Sequence, residues 1–389
     1  MLARIRKTAW LAMSTLCFLV SPVMAAEAPS PLVYAGYAFS GDYANRAKLY
    51  PYSAELSAEE DSNYMDRLLR ERIAAHPDAA ARLLFDQTDG ALDRDAVAFA
   101  LVQESVEQQR MDGKFWIILT LHANILAFNK STHSMVASYP VRLRLTRAEP
   151  AMLSPAELKE WVRSAYAGSN AHANIFDQWL TALPTLKVRA GASKYLRVTE
   201  VGFTPEAQAV LASGHLDAGA TRNQLANAFE ASVAEAAQVS IIPNSVGEAI
   251  GSKMAYRFAN GAQIALTLPP ADYELAFTVR GFATKTVEKP AYFQDIFRVL
   301  GAVSLTQPDL GLVYLNENVY ETQIVTRPRD ARMELETWPQ YYKTLQLLMA
   351  GVSKQMNQLD DRWLQDRASR GMEAKAAFLK TNDLIRTLK

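Results

Sequence analysis

The chain has 389 residues, 41 basic and 41 acidic side chains, 49% hydrophobic residues and one cysteine, Cys17. Balanced charge without a basic tract excludes the electrostatic footprint of a nucleic-acid binder. A lone cysteine excludes a disulfide framework and a thiolate metal site.

The N-terminus reads as an export signal. Arg4, Arg6 and Lys7 precede the short apolar run AWLAMSTLCFLV, and Val23 and Ala25 hold the small-residue positions of a cleavage site, which places the cut after Ala25. The run falls short of the roughly 20 apolar residues a spanning helix needs. Ser14, Thr15 and Leu16 before Cys17 do not make a lipoprotein box. Loss of the leader lowers the basic count from 41 to 38 against 41 acidic residues and leaves no thiol. The expectation is a periplasmic protein with no transmembrane segment after cleavage, peripheral contact with a membrane being left open.

Residues 26–190 form a first unit. LVYAGYAF (32–39) is a strand. A helix is expected within 57–76, with Ser57 and Glu60 as a capping box and Tyr64, Met65, Leu68, Leu69 and Ile73 on one face. ARLLF is a short strand, and AVAFALVQESVEQ, FWIILTLHANILAF and SMVASYPVRLRLT make a meander turning at Asp112-Gly113 and at NKSTH. Ser154, Pro155 and Glu157 open a closing helix.

Residues 191–356 repeat that order. YLRVTEVGF is followed by a helix capped by Thr221 and Gln224, the strand VSIIP, three strands between residues 272 and 325, and a helix from Thr337. One insertion, 245–261, reads as an extra helix capped by Ser245 and Glu248. The fold class is therefore α+β: two tandem repeats, each a mostly antiparallel sheet with helices on one face. Residues 357–389 form a C-terminal helical extension with Trp363 among its spaced apolar residues; packing back on the domain and docking into another protein are both open.

Within the second repeat, Pro269 and Pro270 precede Ala271-Asp272-Tyr273 and a strictly alternating strand. That start resembles the periplasmic α/β domain of a group containing the curli secretion channel, outer-membrane activators of penicillin-binding proteins and a flagellar outer-membrane protein. The resemblance spans residues 195–356 at most. The group's usual glycine inside the strand is replaced here by Ala276 and Phe277, and the lipobox is missing. It implies contact with envelope machinery rather than catalysis.

The chemistry-bearing residues lead the same way. His76, His122, His133, His172 and His215 show no metal-pair spacing. The acidic turn 86–95 lacks the alternation of a calcium loop. Neither a serine nucleophile elbow nor a phosphate loop is present. No cofactor, metal or catalytic residue is assigned. Six aromatic side chains crowd residues 33–52, and tyrosines with short polar neighbours suit protein or glycan surfaces. The candidate binding surface is Tyr37, Tyr43, Tyr50, Tyr52, Asp272, Glu274 and Trp363. The reading is a non-catalytic protein-binding or adaptor module, its partner an envelope protein or a second copy. The alternative is a glycan-binding or glycan-cleaving protein, whose mark would be tyrosines and a carboxylate pair lining one groove.

Overall fold

The computed structural model describes residues 31–389 apart from 41–45, 60–62, 86–93, 112–113, 169–173, 187–193, 244–252, 259–262 and 330–336. The leader with its cleavage site, Tyr43, His172, Glu60, the Asp112-Gly113 turn, most of the acidic turn and the Ser245–Glu248 cap lie outside the described residues.

Residues 31–389 form one unit. In the first repeat β1 (Leu32–Ser40) leads through helices α1 (Arg46–Leu49), α2 (Pro51–Glu59), α3 (Tyr64–Ala74) and α4 (Pro77–Ala80) to β2 (Leu83–Leu84). Then come β3 (Asp95–Met111), β4 (Lys114–Asn129) and β5 (Ser134–Glu149), and the closing helices α5 (Pro155–Ala167) and α6 (Ile175–Ala182). In the second, β6 (Leu196–Phe203) is followed by α7 (Pro205–Ser213), α8 (Ala218–Ala237) and β7 (Ile241–Ile242). The hairpin β8 (Lys253–Phe258) and β9 (Gln263–Thr267) precedes the meander β10 (Tyr273–Glu288), β11 (Tyr292–Gln307) and β12 (Leu312–Pro328), and α9 (Thr337–Gln355) closes the repeat. Helices α10 (Asp361–Arg367) and α11 (Lys375–Leu388) make up the extension.

The repeat is visible in strand pairing. β1 runs parallel to β2 and β3, and β3, β4 and β5 are antiparallel. β6 runs parallel to β7 and β10, and β10, β11 and β12 are antiparallel. The two five-strand cores share one topology, so the α+β class and the tandem plan agree with the sequence pattern.

The layers stack in one direction. The first repeat's helices cover the front of its sheet, where Val97, Phe99, Leu121, Ile125 and Val141 are buried. Behind that sheet lie α8 and α9 of the second repeat. Asn227 of α8 donates to Gln103 of β3 at 2.9 Å, and Arg144 of β5 donates to Gln346 of α9. The opposite side of α8 and α9 covers the front of the second sheet, where Phe229 packs edge-on against Phe277 with ring centroids 5.5 Å apart. Leu345, Leu348 and Val352 of α9 are fully buried, each stabilising by about 2 kcal/mol on area grounds.

The insertion corrects one expectation. Residues 253–258 are a strand, not a helix, and the β8–β9 hairpin belongs to the first sheet. β8 pairs antiparallel with the end of β1 (Ala38↔Phe258), β9 meets β5 at Ser134↔Thr267, and β8 pairs β9, so the strands close a ring. Inside it sits a second core of Ala38, Ala96, Ala98, Ala100, Leu126, Phe128, Met135, Phe258 and Leu266. Four alanines let the hairpin approach closely.

Helix starts differ as well. Ser57 lies inside α2, its Oγ donating to Ser53 O at 2.9 Å, so it is not a cap. α8 is capped by Asp217, which accepts from Ala220 N at 2.6 Å, while Thr221 is buried within the helix. Two helices escaped the periodicity. α7 carries Thr204-Pro205 at its start, the same signal as Ser154-Pro155, and α6 is capped by Asn174.

Candidate interaction surface

The tyrosine-rich segment is core, which corrects its expected place on the surface. Tyr37 is 0% exposed, stacked on Phe99 at 5.1 Å and edge-on to Phe176 at 6.3 Å. Tyr50 is 2% exposed and its hydroxyl donates to Ser40 O at 2.6 Å and Val102 O at 3.1 Å. Tyr52 is half-buried, and its backbone N–H donates to the Glu104 carboxylate at 2.7 Å. Ser53 donates to the same carboxylate through both its N–H and its hydroxyl, and that hydroxyl also contacts Tyr166 at 2.8 Å. Burial pushes the Glu104 carboxyl above its ordinary range, opposed by the Ser53 and Tyr52 hydrogen bonds. For Tyr37 the cause is topological: β1 lies between β2 and β3 with both faces covered, so its side chain points into packed layers. Tyr50 follows β1 and is held against it and β3 by its hydroxyl.

Asp272 proves to be a joint. Its carboxylate accepts from Tyr195 N at 2.7 Å, and the Asp272 and Tyr273 N–H groups both donate to Tyr195 O, at 2.9 and 3.0 Å. The start of β10 is thereby locked to the chain entering β6, after a double proline that holds the preceding residues extended. Glu274 stands opposite Arg197 in the parallel register. Burial lowers the Arg197 pKa, opposed by the nearby Glu274 charge.

Trp363 is an internal clamp, again a correction. Its indole sits so close over Gly351 of α9 that a Cβ there would lie 2.6 Å from its nitrogen. Phe378 of α11 packs edge-on against it at 6.1 Å. The extension folds back on β12: Arg367 pairs with Glu321 at 2.8 Å, Arg370 with buried Glu317, and Ala368 bridges Val319. Packing back is the reading the structure shows.

The histidines are scattered. His122 is 4% exposed on the back of the first sheet, opposite Gln103 and Arg142, and burial drives its pKa down to about 3, helped by the Arg142 charge. It is neutral in any ordinary buffer. His133 and His215 occupy left-handed turn positions, with φ of 52° and 55°. Among the described residues no His, Cys, Asp or Glu cluster could hold a metal ion.

What the fold does leave available is the back of the second sheet. β10 alternates buried Tyr273, Leu275, Phe277 and Val279 with half-exposed Glu274, Ala276 and Thr278 and exposed Arg280. Neighbouring positions on that face are Ser304, Ala302 and Leu300 of β11, and Asn316, Asn318 and Tyr320 of β12. Leu300 is 42% exposed and Ile324 57%. β12 is also the edge of its sheet: no further strand pairs with it among the described residues. The extension meets its outer side at the Val319↔Ala368 bridge and through Ser369 N and Lys380 Nζ, which donate to Asn318 O and Val313 O at 2.8 Å each. Leu312 and Val313 at its start are exposed too. Sequence reasoning reached this surface only through Glu274 and missed Leu300 and Ile324. Its signal was the two large apolar residues standing on an otherwise polar strand face.

Neither a protein-family model nor a curated protein matches the chain. Among solved structures, the crystal structure of a Xanthomonas campestris protein of family DUF330 is similar at a TM-score of 0.20 and 14% identity, over 50% of this chain and 90% of that one. So slight a likeness carries neither fold nor function. No helix among the described residues is long and apolar enough to cross a membrane.

Proposed function

We propose that this is an exported, periplasmic cell-envelope protein that acts as a non-catalytic protein-binding module, presenting the second sheet to its partner. One observation carries the reading. The back of the first sheet receives a layer of helices and a hairpin, whereas among the described residues the equivalent face of the second keeps Leu300 and Ile324 exposed and ends at β12, which pairs with no further strand and meets only the C-terminal extension. Such edges and faces bind other chains by strand addition or sheet docking. The basic-apolar leader and the Ala-Asp-Tyr resemblance to envelope proteins support the compartment. Of the tyrosines on which a sugar groove would rest, Tyr37 and Tyr50 are interior.

The test is chemical cross-linking of the tagged mature chain in intact envelopes, with identification of the bound proteins, repeated with Leu300→Glu combined with Ile324→Glu. Both side chains are exposed, so the variant is expected to keep its melting temperature and to lose a stoichiometric partner. An unchanged set of bound proteins, or none in either case, overturns the reading. Recovery of cross-linked copies of this chain alone would identify the partner as a second copy.

A further inference from the structure

A cavity of about 390 Å³ opens at the junction of the two repeats, along the outer edge of β5. This volume lies within the range of small-molecule sites, roughly 300–1,000 Å³. Its walls come from β5, α6 and α8. Arg142 and Arg144 project from β5, Glu235 stands on α8, and Gln178 and Thr181 of α6 add neutral polar groups.

The three charged side chains lining this cavity form no ion pair with one another. Arg142 is half-buried, yet among the described residues no acceptor meets its guanidinium, a group with five donors to place. Arg144 is exposed; its guanidinium donates to the neutral Gln346 side chain, and its charge also acts on Glu107 of β3, so it forms no ion pair within the cavity. Glu235 is exposed and has no basic partner among the described residues, and its charge helps hold up the pKa of Tyr139 after the larger effect of burial. Opposite charges thus line one cavity without pairing, because one set is carried by a strand and the other by a helix of the other repeat. Behind the wall, on the same face of the sheet, Asn124 Nδ2 and His122 Nδ1 are buried without partners, on the cross-strand neighbours of Pro140 and Arg142. Leaving such groups unmet costs stability, and a guanidinium fork matches a carboxylate bidentately.

We propose that this cavity binds a small zwitterion with free ends, an amino acid or short peptide, its carboxylate on Arg142 and Arg144 and its ammonium on Glu235. The site is separate from the bare face of the second sheet and stands whether or not a protein docks there. Because its two halves belong to different repeats, an occupant bridges them.

Calorimetric titration of the purified chain with trialanine tests this, alongside N-acetyl-trialanine, trialanine amide and inorganic phosphate. Trialanine is expected to bind saturably at millimolar concentration or below. Arg142→Gln should weaken it by about tenfold or more, the scale of one charge-assisted bidentate contact. Glu235→Gln should weaken trialanine but leave the acetylated peptide unchanged, since that peptide has no ammonium to lose. If Arg142→Gln does not fold, Arg144→Gln replaces it. Absence of trialanine binding overturns the proposal, as does binding unchanged in the Arg142 or Glu235 variant. Phosphate binding as tightly as trialanine and independent of Glu235 would also overturn it, in favour of a plain anion site.

Discussion

On the back of β3 the first repeat carries Ala96, Ala98 and Ala100; on the matching face of β10 the second carries Glu274, Ala276, Thr278 and Arg280. The strands hold the same place in the same topology. Yet the alanines are 0% exposed beneath a hairpin, while Arg280 reaches across an open face to Asn318 at 2.7 Å. The difference teaches how a tandem α+β pair ends. Each sheet must cover its apolar front with its own helices; its back is buried only if another layer arrives. The first repeat has that layer supplied by the second, and the second stops at a polar face that water or a partner covers.

The largest test of this asymmetry is a matched pair of arginine substitutions. Ala98→Arg forces a charge and a long side chain under the hairpin and should cost about 3–5 kcal/mol or abolish folding. Thr278→Arg on the open face should change stability by no more than about 0.5 kcal/mol in urea unfolding. Equal costs would break the comparison.

A smaller effect tests whether the second sheet's front is packed as tightly as the first's. A Cβ at Gly301 would lie 2.5 Å from the Phe277 ring, so Gly301→Ala should cost about 1–3 kcal/mol. Melting curves of Gly281→Ala supply the contrast: nothing lies within 4 Å of its Cβ position, and the expected change is about half a kcal/mol or less, of either sign.

The junction between the repeats has its own signature in pH. His122 is neutral when folded and titrates near its ordinary value, 6.5, when unfolded. Below pH 6.5 the unfolded chain therefore binds a proton that the folded chain refuses until about pH 3. Stability contributed by the neutral ring is complete above pH 6.5 and falls by up to about 1.4 kcal/mol per pH unit on acidification. Denaturant titrations between pH 7 and 5 should show this slope, and His122→Gln should flatten it. An unchanged slope would mean that the ring is wet and the repeats loosely joined.

Much of this architecture was legible in the residues. The period-2 pattern of 273–279 and the Ser154-Pro155-Glu157 start each encode a local structure whose physics is complete within a few residues, and each stands where the pattern puts it. Asp272 was expected on a binding surface, and its partner, Tyr195, 77 residues away, was not legible. The hairpin at 253–267 was not legible, because its strands pair with β1 and β5, more than 100 residues away in the chain, and a short apolar segment looks alike in either state. Burial of Tyr37 and Tyr50 was equally hidden: a tyrosine carries the same sequence signal whether its hydroxyl meets water or a buried carbonyl such as Ser40 O.

By itself the sequence determined the α+β class and the doubled order of elements, since composition and local periodicity decide these. Only the tertiary structure decided that the repeats stack front to back, that Tyr37 and Tyr50 are core and that the back of the second sheet keeps Leu300 and Ile324 exposed. It alone set Arg142 and Glu235 across one cavity. Those outcomes depend on which surfaces meet, and long-range burial, not local preference, makes that choice.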